Sequence, residues 1–160
     1  KVLIFFESLD LQEANQLPLL LQRRYKILHM PMVINGQVQT EARQQRVNKF
    51  QQESGFDVML LSPKAGGVGL TLTAANHVIH LSRWWNPAVE DQCSDRVYRI
   101  GQTKPVHIYY PLAVIPGAEE HSFDVQLQAL MDRKRKLAHD LLAAPAFSSR
   151  DYESLLASIS

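Results

Sequence analysis

The stretch Leu60–Gln102, LLSPKAGGVGLTLTAANHVIHLSRWWNPAVEDQCSDRVYRIGQ, decides how this chain folds. It begins inside an apolar run, Asp57–Ser62 (DVMLLS), and crosses a glycine cluster. It then enters a second apolar run at His77–Leu81 (HVIHL) and turns at Trp84-Trp85-Asn86-Pro87. Short apolar runs bounded by turn residues mark strands buried on both faces of a parallel sheet. Pro87 suits the first position of a helix and Gly101 its stop, which predicts a helix from Asn86 to about Arg99.

The flanks repeat the alternation. Val2–Phe6 (VLIFF) reads as a buried strand, and Ser8 or Asp10 can cap a helix over about Leu11–Arg24, in which Pro18 marks an irregularity or a split. Tyr25–Met30 (YKILHM) is expected as the next strand, with Val33-Ile34-Asn35-Gly36 a loop. Thr40 can cap a helix to about Gln52 that buries Ala42, Val47 and Phe50. Downstream, Val106–Tyr110 reads as a strand. Ser122–Leu142 reads as a helix whose apolar stripe is interrupted by Asp132–Lys136, and Pro145 ends it. Asp151–Ile159 is expected as a last short helix. Strands alternating with helices predict an α/β fold: a parallel, right-handed sheet with helices on both faces. There is no internal repeat, and the Pro-Gly turn at Ile115–Ala118 is the best linker candidate.

Composition sets wide bounds. A chain of 160 residues is one domain by size and can bury a real core. A formal net charge of +1 argues neither for nor against nucleic acid. The single cysteine, Cys93, excludes an internal disulfide framework and fits a reducing compartment. No apolar run approaches the ~20 residues of a membrane span, and no signal-peptide pattern opens the chain. The first residue is Lys1 with a strand at once behind it, from which a fragment of a longer protein is expected.

Each motif has a plain alternative. Ser62–Gly69 (SPKAGGVG) follows a strand and can present backbone amides to an anion, or it is a tight turn. It is neither a P-loop nor a GxGxxG fingerprint. On the predicted helix, at ~100° per residue, Gln92, Arg96 and Arg99 fall in one sector, with Val89, Cys93, Val97 and Ile100 in the neighbouring, anchoring one. Two guanidiniums so placed suit a polyphosphate. From spacing alone the favoured reading is a salt-bridged surface face, with Asp91 and Asp95 at hand to neutralise them. Adjacent Trp84 and Trp85 point apart, so one is free to be core and the other available to a partner. The six histidines lack metal-ligand spacing, and His77 and His80 fall on opposite faces of their strand. The run Arg133–Lys136 reads as a solvated helix face.

Taken together, four segments resemble the C-terminal RecA-like lobe of Swi/Snf-family ATPases, within the superfamily-two helicases. They are KVLIFFES, INGQVQTEARQQRVNKFQ, SPKAGGVGLTLTAANHVIHLSRWWNP and DQCSDRVYRIGQ, in the family's order. The last has the DRxxRIGQ form that distinguishes this family among helicases. The resemblance covers about Lys1–Tyr110 and, more loosely, FDVQLQALMDRKRKLAHDLLAAP, which is similar to the closing helix of bacterial members. It implies a lobe over residues 1–114 and a helical extension over 115–160.

The resemblance also implies roles. Arg96 and Arg99 act as arginine fingers toward the γ-phosphate of an ATP held chiefly, with Mg2+, by another lobe, and Gln92 helps form that cleft. Gly67 and Gly69 let the loop approach nucleotide and lobe interface. Ser62, Lys64 and Thr71 face the DNA backbone, with Trp85 near it or beneath it, and Arg43 and Gln44 belong to the segment supporting that surface. Ser82 stands where many members have an acidic residue, and Thr71 where many have Asn.

No Walker A lysine, Asp-Glu box or magnesium ligand set occurs in the sequence, so the chain is expected to be one inactive half of a two-lobed, DNA-dependent ATPase. The implied partners are the N-terminal RecA-like lobe of the same full-length protein, double-stranded DNA, and other proteins of a DNA-processing or defence system. No membrane is implied, and the expected location is cytoplasmic and nucleoid-associated. A non-catalytic nucleic-acid or protein-docking module of the same fold is the alternative. A dinucleotide enzyme is disfavoured by the missing fingerprint and its acidic ribose ligand.

Overall fold

A computed structural model describes residues 1–13, 16–65 and 69–142. Five strands form one sheet: β1 Val2–Phe5, β2 Met32–Ile34, β3 Val58–Leu61, β4 His77–His80 and β5 His107–Tyr109. Their spatial order is β2-β3-β1-β4-β5, and every pairing is parallel. The helices are α1 Leu9–Gln12, α2 Leu17–Tyr25, α3 Thr40–Gln52, α4 Pro87–Ser94 and α5 Phe123–Leu142.

The core follows from the two-residue period of the strands. Leu3, Phe5, Met59, Leu61 and Val78 point to one face, where Val47 and Phe50 of α3 and Cys93 of α4 cover them. Ile4, Val58 and Leu60 point to the other, with Leu17 and Leu21 of α2 against them. Both faces of β1 and β3 are therefore dry, which is why these strands are nearly continuous apolar runs. The expected parallel sheet with helices on both faces is present.

Four boundaries differ from the sequence expectation. The helix expected over Leu11–Arg24 is split, and Pro18 sits in the first turn of the second piece, where its missing N–H has no helical role. The strand expected at Tyr25–Met30 is absent: Tyr25 ends α2, Lys26 turns left-handed (φ 51°, ψ 41°), and β2 lies at Met32–Ile34, in the segment expected as a loop. Pro31 lacks an N–H for the ladder, so pairing starts after it. At α3 the N-cap is Gln39 and Thr40 is already helical, while Ala42 is half-buried rather than buried. Finally, α4 stops at Ser94, five residues short of Arg99. The helix expected over Asp151–Ile159 and the stop at Pro145 lie outside the described residues.

Candidate nucleotide-cleft and nucleic-acid surface

All strands run the same way, so the loops after β1, β3 and β4 leave the sheet at one edge. Register places Phe5 opposite both Leu61 and His80 there. Ser62, Lys64 and the Arg83–Trp85 corner consequently share that edge. The Ser62 hydroxyl accepts a hydrogen bond from Ala65 N–H at 3.2 Å, tightening the start of the loop. Lys64 is exposed, its ammonium 5.9 Å from the Trp84 ring centre. Ser82 accepts from Glu7 N–H through its hydroxyl at 3.4 Å. Neither tryptophan is core: Trp84 is half-buried, whereas Trp85 is 60% exposed and meets the Phe123 ring edge-on at 5.9 Å.

Asn86 caps α4 by accepting from Ala88 N–H at 3.1 Å. Beyond Ser94 the chain tightens: Arg96 N–H bonds Cys93 O at 3.2 Å and Val97 N–H bonds Ser94 O at 3.0 Å, both three residues back. This tightened segment is tied down by Gln102, a residue to which sequence reading gave no role. Its carboxamide donates to Ala75 O at 2.7 Å and Thr73 O at 3.1 Å, drawing the segment onto the 72–76 loop. Leu72 N–H adds a bond to Arg96 O at 2.9 Å. Helical phase thus fails past Ser94. Gln92 is exposed on α4, Arg96 is buried, Arg99 is exposed, and Ile100, expected as an anchor, is fully exposed.

The two arginines have different surroundings. Arg96 is 4% exposed, yet its guanidinium makes no hydrogen bond or ion pair with any described residue, and its buried Nε lacks a partner. Burial, and next the positive charge of Arg99, pull its pKa below the usual value. Arg99 spans outward: Nη1 donates to Gly69 O at 3.3 Å and to Thr71 Oγ1 at 3.2 Å, and Nε donates to Asp95 O at 3.1 Å. Gly69, Thr71, Gln44 and Asn48 line one groove of about 540 Å³ beside it. The Gln44 amide donates to Asn48 Oδ1 at 2.8 Å. Arg43 lies elsewhere, half-buried, with Nη2 on Val38 O at 3.2 Å, bracing the turn before α3. Gly67 lies outside the described residues.

The acidic residues expected to neutralise these arginines do not. Asp91 faces Arg135 at 3.0 Å, and Asp95 offers Arg99 only its carbonyl. The run Arg133–Lys136 is therefore no mere solvated face. Arg135 Nη2 also reaches Glu90 Oε2 at 2.9 Å, and Lys134 donates to Trp85 O at 2.6 Å. Glu90 is fully buried, with Arg83 Nε on its Oε1 at 2.9 Å. Burial by itself would raise the Glu90 carboxyl, but the bonds from Arg83, Trp84 N–H and Arg135 outweigh it and hold the pKa below normal. No cluster of three or more His, Cys, Asp or Glu among the described residues can hold a metal ion.

This is the geometry of a helicase C-terminal lobe. Residues 1–101 match the family of the helicase conserved C-terminal domain, and the chain belongs to that family. Its type is the RecA-like lobe of Swi/Snf ATPases. The C-terminal part of the Fun30 ATPase domain superposes with a TM-score of 0.69 at 30% identity, covering 82% of this chain and 39% of that one. The Sulfolobus solfataricus SWI2/SNF2 ATPase core gives 0.64 at 31% identity, covering 89% and 27%. Among curated relatives, Zorya protein ZorD of Escherichia coli is 43% identical over 98% of this chain, which spans 14% of its length. The putative ATP-dependent helicase/translocase YwqA of Bacillus subtilis is 49% identical over 60% of the chain and 10% of its own length. No helix among the described residues is long and apolar enough to cross a membrane.

Proposed function

We propose that this chain is the C-terminal motor lobe of an ATP-dependent double-stranded DNA translocase or remodeller. In this reading it completes a nucleotide site built mainly by an N-terminal lobe of the same protein. One observation carries the proposal: among the described residues no anion meets the buried Arg96 guanidinium. An uncompensated buried charge costs several kcal/mol, so such a side chain is expected where a ligand supplies the missing charge. A triphosphate fits that requirement. Arg96 and Arg99 hold its terminal phosphates, and ATP supplies the phosphoryl group whose developing negative charge these guanidiniums stabilise. Gln92 and Gly69 border the cleft in this reading, and Gly67, to which the resemblance gives the same role, lies outside the described residues. Gln44 and Thr71, which the resemblance gives to the DNA-facing surface, line the groove beside Arg99. The magnesium ion is held by the other lobe.

The exposed Lys64 and Trp85 then make the DNA-facing edge, with buried Ser62 shaping the loop behind it through its bond from Ala65 N–H and Arg43 stiffening its support. These groups suit backbone phosphate and sugar, so little sequence preference is expected. ZorD and YwqA, the latter described as a helicase/translocase, support the direction.

The test uses the full-length protein. Arg96→Ala or Arg99→Ala is expected to lower ATP turnover by about 10³-fold or more, while DNA affinity changes less than threefold or so. The chain alone should show no hydrolysis. Unchanged turnover in both variants would overturn the assignment.

A further inference from the structure

The Arg83–Asn86 corner has no helix or strand of its own, yet it carries Trp85. Something else must fix it. Its inner tether is Glu90, whose Oε1 accepts from Trp84 N–H at 3.1 Å and from Arg83 Nε. The outer tethers all come from α5. Gln128 bonds the Arg83 guanidinium, Lys134 bonds Trp85 O, and Arg135 forks across Glu90 and Asp91. Tyr110 is sandwiched into the same assembly, its ring 4.5 Å from the Arg83 guanidinium and 5.5 Å from that of Arg135. Leu127 and Met131, one turn apart and both buried, seat α5 so that Gln128 and Arg135 face the corner.

Burying Arg83 and Glu90 in this way, with Arg135 partly and Asp91 half exposed, is weak as a source of stability, since desolvation opposes the attraction. Its specific effect is geometric. A planar guanidinium bound at fixed angles to two carboxylates admits one arrangement of α5 against α4. We infer that Arg135 is a positioning residue. Through Glu90 and Asp91 it locks α5 onto the corner and so holds Trp85 in the orientation that engages DNA. The inference rests on the proposed DNA-dependent activity only for its functional consequence. The lock itself is a property of the lobe.

The experiment compares Arg135→Lys and Arg135→Gln in the full-length protein by two readouts. The first is backbone hydrogen exchange. Residues 83–86 are expected to exchange about tenfold faster in both variants, with β1 and β3 unchanged. The second is ATP hydrolysis against DNA concentration. Both variants are expected to need about tenfold more DNA for half-maximal stimulation, with the rate at saturating DNA within about twofold of the parent. Lysine keeps the charge but not the fork. Recovery by Arg135→Lys would therefore assign Arg135 an electrostatic role and overturn positioning. Unchanged exchange at 83–86, or faster exchange throughout the lobe, would overturn it as well. If the parent protein shows no DNA stimulation, the proposed function fails, while the exchange result still decides the lock.

Discussion

Arg96 and Arg135 show how the same side chain takes opposite roles by what surrounds it. Arg135 meets two carboxylates, and their hydrogen bonds raise its pKa against the opposing effect of burial. Arg96 meets none among the described residues. His80 is a buried group with a measurable consequence. It lies at 5.6 Å from the Phe5 ring and 5.1 Å from the Tyr110 ring, and its Nε2 is 2.9 Å from Ser94 Oγ. Burial above all pulls its pKa from 6.5 to about 4; Arg83 and Arg135 add to this, while Glu90 and Asp91 oppose it. The unfolded chain therefore takes up the proton at a higher pH than the native one. The stability tied to the neutral imidazole is complete above about pH 6.5 and drains as pH falls toward 4, by about 3 kcal/mol in all. Glu90, with its lowered carboxyl pKa, acts in the same direction at more acidic pH. Urea unfolding between pH 7 and 5 should show the decline, and His80→Phe, which keeps the stacking, should flatten it. An equal slope in the variant would place the titration elsewhere.

At the scale of the element, local signals fix some ends and tertiary bonds fix others. Asn86-Pro87 and Pro18 both start helices where their chemistry demands. The end of α2 is less comfortable. Lys26 is the one non-glycine residue with positive φ among those described, and it is held there by two bonds to Gln22 O, one donated by its own N–H and one by Ile27 N–H at 3.2 Å. A left-handed β-carbon costs about 1 kcal/mol, which glycine avoids. Lys26→Gly is thus expected to stabilise the lobe by up to about 1 kcal/mol, read as a higher melting temperature. A lower one would mean that the lysine side chain contributes more than its strain. The end of α4 carried no such signal: nothing in CSDRVYRIGQ announces that the helix stops at Ser94, and the segment beyond it is bonded to a distant loop, through Leu72 N–H to Arg96 O and Gln102 to Thr73 and Ala75.

Across the whole molecule, the sheet order predicts a gradient of stability. β1 is central, paired on both sides, and β3 beside it is buried along its length, whereas β5 at the edge has all three residues exposed. Native-state exchange should find the amides of β1 and β3 slowest and those of β5 fastest. Equal protection of β5 would show that its free edge is covered in solution. The edge is the natural place for variation, since only one neighbour constrains it.

The sequence by itself determined the α/β alternation, the four family segments in order, and the residues grouped along Leu60–Gln102. These are written in local apolar period and in chemistry that needs particular side chains. Only the tertiary structure decided which of those residues meet. It set Arg99 against Gly69 and Thr71, buried Arg96 with no ion-pair partner among the described residues, and turned a basic run on α5 into the lock on the tryptophan corner. It also moved the second strand from Tyr25–Met30 to Met32–Ile34. The physical reason is the same in each case. Periodicity reports which face a residue prefers, but the partner of a charge or of a strand's backbone is supplied by chain segments tens of residues away.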